Sequence, residues 1–331
     1  MITPANFQTF VTNVSTMIGA VYNSDDVQSC WAQIATQLPC SSKQLELGWT
    51  GLMPKMRPWF GARQPHEPAP QTYTVKMIPY ENTYAINRFD LDDDQFGIYY
   101  RMLPDLARQA KRQADYELRD LIEAAGIMSS ANIQAGFDGL SHWNTAHPID
   151  LYNAGAGTYF NTSLAGQADG PTTVGGALTP TSFTTVYEYM MTLKGEDGER
   201  LGIAPNVLMH PPTLKAEVEL ILKSTFFSPP SWGGYSPISG QVGAADNPLR
   251  RFGVEPLQNN FLSNNLRWYM LDTTKAFKPF LWVVREATQT VPRVNENDPA
   301  VFDTHMFQWG QWNRVAPAWD YSFLSHRSGP A

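Results

Sequence analysis

Cysteine is nearly absent: Cys30 and Cys40 are the two in 331 residues. That is too few for a disulfide framework, and no CxxC or Cys/His cluster offers a zinc site. Charge is sparse as well. Asp, Glu, Lys and Arg make up 17% of the chain, below the figure of about 25% usual in soluble proteins. The basic residues form no block and the net charge is −7, which argues against tight gripping of a nucleic-acid backbone. No stretch approaches about 18 consecutive apolar residues, the length a spanning helix needs. The start, MITPANFQTFV, lacks the basic segment and apolar run of a signal peptide. The expectation is a soluble chain made inside the cell. G-x-S-x-G, G-x-x-x-x-G-K-[ST] and HExxH are all missing, which removes the common signatures of hydrolases, P-loop enzymes and zinc proteases.

What is present is aromatic. Ten Trp, 14 Tyr and 17 Phe accompany a hydrophobic content of 43%. A chain rich in aromatics and poor in charge suits burial against partners, because interfaces favour Trp, Tyr and Phe over Lys and Glu. A β-rich core explains the composition as well. The length suggests one elaborated domain or two intertwined ones.

Residues 4–18 place Phe7, Phe10, Val11, Val14, Met17 and Ile18 at helical spacing, with Thr3 as N-cap and Pro4 in the first turn. Polar segments follow to about residue 48, so this arm must lie on something else. Residues 51–70 hold five prolines, which excludes a regular element there. Alternation at Tyr73, Val75 and Met77, and again over 84–89, reads as two strands joined around Pro79 in a long hairpin.

The acidic run NRFDLDDDQFG follows. Asp90, Asp92 and Asp94 match the first half of a calcium loop, but Gln95 replaces the turn Gly and Arg101 the closing Glu. Leu103, Leu106, Ala107, Ala110, Ala114, Leu118, Leu121, Ile122 and Ala125 then recur every three or four residues up to Gly126. This predicts a helix over 104–125. Asp90, Asp92, Asp93 and Asp94 are therefore read as acids opening that helix, where its dipole favours them.

Residues 150–180 are Gly-, Thr- and Ser-rich and read as an irregular insertion. Phe183 to Met191 mark a helix, GEDGER a turn, NVLMH (206–210) a buried strand, and 212–224 a helix capped by Thr213. Residues 228–250 read as a Gly/Pro-rich loop. From 266 the chain is strand-like, and PRVNENDPA forms the tip between two long strands. The class is α+β.

Chemistry has few places to reside. Asp138, His142 and His147 lie within DGLSHWNTAHP and offer a metal-dependent hydrolase as the alternative function, although Gly and Pro make the segment a loop. His210, beside an apolar strand, reads as structural, and Cys30 as a small buried apolar residue. Asp92 to Asp94 are adjacent, whereas a glycosidase pair faces across its substrate. A sugar-binding β-protein would use the tryptophans but needs neither arm nor long helix.

The run from Leu47 to Gly126 resembles the Mu-type phage major head subunit (gpT-like) family. The shared features are Met56-Arg57-Pro58-Trp59-Phe60-Gly61-Ala62-Arg63, the pair Tyr80-Glu81, and Arg88 to Tyr99 ahead of a long helix. Asp138-Gly139 with His142 or His147, then Trp282-Val283-Val284-Arg285-Glu286 and Phe307-Gln308-Trp309-Gly310, complete the pattern. Pro58 and Phe60 depart from it, and residues 150–178 lie outside it.

The resemblance implies the tailed-phage capsid fold of the Hong Kong 97 type. It would comprise an N-terminal arm (1–50), an E-loop hairpin (51–90), a P-domain with spine helix (91–149), an A-domain with insertion loops (150–279) and P-domain strands (280–331), the tail returning to the A-domain. It implies a non-enzymatic major capsid protein that self-assembles into pentamers and hexamers of an icosahedral or prolate shell, with no cofactor. Partners would be further copies, portal and scaffold proteins, packaged DNA by enclosure and, where present, a decoration protein, with no membrane. The location would be the virion capsid, after synthesis in host cytoplasm. Trp59, Arg63, Lys76, Glu81, Arg293, Glu296 and Asp298 would lie at subunit interfaces. The pattern starts by residue 47, so no scaffolding region ahead of the arm is expected; cleavage at the N-terminus is not expected either.

Overall fold

The computed structural model describes residues 16–17, 19–21, 29–49, 56, 58–59, 61, 71–93, 98–124, 136–151, 153–165, 176–227, 245–295 and 298–330. The helix expected over 4–18 lies outside these, apart from 16 and 17, which are helical.

A single helical turn, α1 (Trp31–Ile34), leads into β1 (Ala35–Pro39), β2 (Gln44–Trp49), β3 (Gln71–Lys76) and β4 (Ile78–Asn87). Two helices follow, α2 (Arg88–Asp92) and the long α3 (Ile98–Glu123). Next come β5 (Thr162–Ala165), α4 (Pro180–Thr192), β6 (Val207–His210), α5 (Lys215–Leu222), β7 (Glu255–Gln258) and β8 (Trp268–Leu271). The chain closes with β9 (Phe280–Arg293), α6 (Pro299–Thr304), β10 (Met306–Trp319) and β11 (Ser325–Pro330).

Two sheets organise these elements. The first has the order β1-β9-β10-β4 and the second β7-β6-β8-β11-β5. Helix α3 packs between them. Its Ala114, Leu118, Leu121 and Ile122 join Phe280, Trp282, Val315 and Trp319 of the first sheet and Met209, Tyr269 and Leu271 of the second in one core. The other face of the second sheet, Leu208, Trp268 and Met270, is covered by Phe183, Val186 and Met190 of α4 and Val218 and Ile221 of α5. Burial on both faces is why NVLMH and RWYML read as unbroken apolar runs. Helix α4 is held at its start by Thr179 and Ser182, whose side chains each bond the other's backbone N–H.

Several expectations need correction. Strands β3 and β4 do not pair with each other. Met77 alone separates them, and the tightest common hairpin loop takes two residues. Instead β3 pairs antiparallel with β2, from Gln44↔Lys76 to Trp49↔Gln71, and β4 lines the edge of β10. Pro79 is tolerated because β4 is an edge strand. The hairpin therefore spans 44–76. The long helix begins at Ile98, so Pro104 lies within it rather than opening it. Its 26 residues make it about 39 Å long at 1.5 Å per residue.

Within the supposed insertion, β5 is a regular strand pairing parallel with β11. Thr213 does not cap: the start of α5 has no side-chain cap, and the Thr213 hydroxyl donates to the Asn265 carbonyl. Residues 299–304 are helical where a strand was expected. Among the described residues no helix is long and apolar enough to cross a membrane.

Candidate subunit interface

The β2–β3 hairpin stands on the first sheet. Tyr73 and Val75 turn inward onto Leu281, Val283, Ala316 and Ala318, while Thr72 and Lys76 are exposed. Phe137 meets the Tyr73 ring edge-on at 4.7 Å. The described pairing reaches Trp49↔Gln71. Between these strands in sequence, Met56 is 99% and Trp59 71% exposed. Trp59 Nε1 donates to the Gly61 carbonyl at 2.7 Å, across a turn in which Gly61 has φ 88°, a conformation glycine adopts without strain. Large apolar side chains held in water make this segment a candidate association surface. Arg63 lies outside the described residues.

Glu81 is exposed on β4 and accepts from Thr83 Oγ1 at 2.8 Å. The acids that follow do not sit in the first turn of the long helix. Asp90 and Asp92 belong to the short α2, whose start is held by Asn87 Oδ1 accepting from Phe89 N at 2.9 Å. Asp93 follows in a turn, and Asp94 lies outside the described residues. Among the described residues no group of three or more His, Cys, Asp or Glu is placed to hold a metal ion.

At the far end of the sheet, Arg293 grips Asp298 of its own chain through two parallel bonds, Nε to Oδ2 at 2.9 Å and Nη2 to Oδ1 at 3.0 Å. The tip doubles back between β9 and α6, which brings these residues together. Phe302 is 73% and Val291 52% exposed beside them. Glu296 lies outside the described residues.

Asp138, His142 and His147 do come together, but as an internal fastening. Asp138 Oδ2 meets His147 Nδ1 at 2.5 Å, and His147 Nε2 donates to the His142 carbonyl at 2.9 Å. His142 Nε2 bonds Ser325 Oγ at 2.7 Å, and its ring lies flat on Trp319 at 4.0 Å. Burial, then the charges of His147 and Arg327, hold His142 well below its ordinary pKa, so it is neutral. Burial alone would raise the Asp138 carboxyl, but the hydrogen bond and charge of His147 hold it below the usual range. Both His147 nitrogens and the His142 Nε2 are thus committed to protein partners. The cluster ties the 136–148 loop to β10 and β11 and does not hold the open metal a hydrolase needs.

A buried acid and a half-buried one were not singled out by the sequence. Asp115, 2% exposed, accepts from Ser29 Oγ, Cys30 N and Trp31 N, fixing the end of the arm to α3. Asp320 sits where Tyr73, Phe137 and Tyr321 meet, with its Oδ2 buried and unpartnered. Asp115 falls between apolar positions and reads as a surface residue. Asp320 follows the apolar run of β10 and reads as a strand end.

Residues 9–174, 172–233 and 250–329 match the Mu-like prophage major head subunit gpT family. The chain belongs to this family. Among its relatives is the major capsid protein of Escherichia phage Mu, 27% identical over 145 residues, 44% of this chain and 46% of that protein. Another is the Mu-like prophage FluMu major head subunit of Haemophilus influenzae, 27% identical over 121 residues, 37% of each chain. The chain therefore aligns with less than half the length of either curated relative.

Among solved structures, the procapsid of bacteriophage JBD30 is similar with a TM-score of 0.56 and 19% identity, covering 100% of this chain and 77% of that one. A Mycobacterium phage Adephagia chain is similar with a TM-score of 0.54 and 10% identity, covering 93% and 92%. These likenesses show the fold, which is the Hong Kong 97 type of phage capsid subunits. The gpT-like family is one of structural head proteins, not enzymes.

Proposed function

We propose that this gpT-family chain is the repeating subunit of a phage head, assembling with its own copies into pentamers and hexamers of a closed icosahedral or prolate shell. The observation that carries this reading, beyond family membership, is the exposure of Met56 and Trp59 in the segment between β2 and β3. In this reading residues 1–43 form the arm and 44–76 the E-loop hairpin. The first sheet with α3 is the P-domain, and the second sheet with α4 and α5 the A-domain. Portal and scaffold proteins take part in assembly, DNA is enclosed rather than gripped, as the net charge of −7 suits, and a decoration protein binds outside where one exists. Synthesis takes place in host cytoplasm and the product resides in the virion.

Replacing residues 54–68 by a two-residue Gly turn tests this. The shortened chain should fold as a soluble subunit, and electron microscopy should find no closed shells. Normal particles would overturn the reading.

The β9–β10 tip is proposed to meet other copies at a local three-fold or quasi-three-fold axis. Its own Arg293–Asp298 pair lies in solvent, where screening leaves such a pair little effect on the subunit. Arg293→Glu should therefore leave the subunit's melting temperature almost unchanged while lowering shell yield, because like charges would converge around the axis. Mutant shells as resistant to heat and low salt as the parent would place the tip away from any contact that matters.

A further inference from the structure

Arg327, in β11, is a cation that is 3% exposed. Its Nε donates to the Thr162 hydroxyl at 3.2 Å, and its guanidinium lies 5.2 Å from the centre of the Trp143 ring. Its Nη1 is buried and has no hydrogen-bond partner. Burial draws the pKa of the group down to about 10, so it stays protonated at neutral pH. His142 and His326 are held neutral by burial first, and the Arg327 charge works in the same direction on both.

Two more donors stand unspent beside it. Tyr269 is directly opposite Arg327 in the pairing of β8 with β11. It is fully buried, its hydroxyl has no partner, and its ring is 5.7 Å from the same Trp143 ring. Arg267 precedes Tyr269 by two residues along the extended chain and so projects to the same face. Its Nε is also buried without a partner. Strand β11 comes this near because residue 329 is Gly, where a Cβ would meet the Arg267 Cα at 2.9 Å. Beyond the effect of burial, the charges of Arg327 and Arg267 both bear on the Tyr269 phenol, and that of Arg267 on Arg327. Arg267 is half-buried and leads from the cluster to the surface.

Neither Arg forms an ion pair among the described residues. Glu123 is the carboxylate whose charge reaches Tyr269. Its oxygens are spent: Oε1 accepts from Ser263 N and Asn264 N, each at 2.8 Å, and Oε2 from Ser263 Oγ. Two positive charges thus face one negative charge. A buried ion without a counter-charge is costly, and so is a buried donor left unmade. Water would satisfy the donors but leave the charge. One monovalent anion satisfies both, and chloride gives up less hydration on burial than phosphate or sulfate does.

We propose that the α3-facing side of β8 and β11 holds a small monovalent anion of the halide class, bound by Arg327 Nη1, Tyr269 Oη and Arg267 Nε. The ion neutralises the interior where β11 closes the second sheet. Every group belongs to one chain, so the inference does not rest on the shell reading.

Chloride is the probe, and gluconate, too bulky to enter, keeps the ionic strength constant. The melting temperature of the full chain should rise as chloride replaces gluconate and then level off, as binding to the folded state alone requires. Tyr269→Phe keeps the ring and removes one donor. It should raise the chloride concentration at half effect about tenfold, the loss of one hydrogen bond to an ion. Arg327→Met should abolish the dependence; where that variant fails to fold, Tyr269→Phe carries the test. Crystals of the wild-type chain grown in bromide should show an anomalous peak within hydrogen-bonding reach of Arg327 Nη1 and Tyr269 Oη. Equal melting curves in chloride and gluconate, a chloride effect that Tyr269→Phe leaves untouched, or bromide found only at the surface would each overturn the site and assign the donors to water.

Discussion

Asp115→Ala lowers the stability of the subunit by about 3–5 kcal/mol, the expected result of orphaning several buried donors to one carboxylate. Asp115 Oδ1 accepts from Cys30 N and Trp31 N, each at 2.9 Å, and from Cys30 Sγ at 3.3 Å. Its Oδ2 accepts from Ser29 Oγ at 2.7 Å. The two backbone donors are at the start of α1, which has no side-chain cap of its own, so α3 supplies the cap from 84 and 85 residues away. What is held is considerable. Ile34, 1% exposed, enters the central core, and β1 then runs parallel along β9 from Ala35↔Phe280 to Pro39↔Val284.

Alanine leaves these donors buried and unpaired. Asparagine keeps one acceptor oxygen and should lose about half as much. Urea denaturation of wild type, Asp115→Asn and Asp115→Ala subunits measures the series. A loss below about 1 kcal/mol for alanine would mean the arm is held by apolar contacts alone. The same geometry affects Cys30. Burial, then the Asp115 charge, pushes its thiol far above its ordinary value, so Cys30 should resist alkylation until the clamp is removed.

What the sequence made legible follows from which signals are local. Helix α3 was visible because Ala114, Leu118, Leu121 and Ile122 repeat at helical spacing and all face one core. Strands β6 and β8 were visible because both their faces are apolar. The hairpin was misjudged because pairing is not local. Alternation in 71–87 shows extended chain but not its partner, and the partners lie at 44–49 on one side of Met77 and at 306–315 on the other.

Polar strands were the hardest. In β11, Ser325, His326, Arg327 and Ser328 are each at most 3% exposed, against the usual rule that such residues face water. They are tolerated through partners that only the fold brings near. Ser163 Oγ meets His326 Nε2 at 2.5 Å, Arg327 Nε donates to Thr162 Oγ1 at 3.2 Å, and the Arg327 guanidinium lies 5.2 Å from the centre of the Trp143 ring. The candidate interface was partly legible in the same way. An exposed Trp59 follows from a proline-rich segment with no core of its own. The pairing of Arg293 with its own Asp298 depends on how the tip folds back.

Asp320→Asn should stabilise the subunit at pH 8 and leave it nearly unchanged at pH 4. Asp320 closes β10 and hangs from the Pro279 carbonyl through its N–H at 3.0 Å. Its Oδ2 is buried without a hydrogen-bond partner, and no ion pair is formed by it among the described residues. Burial pushes its pKa up from 3.8 to about 7, with the backbone N–H of Tyr321 working the other way. Its charge in turn adds to the burial that lifts the phenol of Tyr73, the residue that seats the hairpin.

The sign follows from proton linkage. A carboxyl whose folded pKa stands above its unfolded value binds its proton more tightly when folded. Stability is then highest below about pH 4, falls as pH rises toward about 7, and levels off above it. A rise of about three units corresponds to roughly 4 kcal/mol, and partial exposure of the residue reduces this to about 2 kcal/mol. Asparagine is neutral throughout, so its advantage should open between pH 4 and pH 7 and be complete at pH 8. Melting temperatures of both proteins across that range read the effect directly. A constant difference between them at every pH would show that Asp320 titrates as an ordinary carboxylate and that the junction beneath the hairpin tolerates its charge.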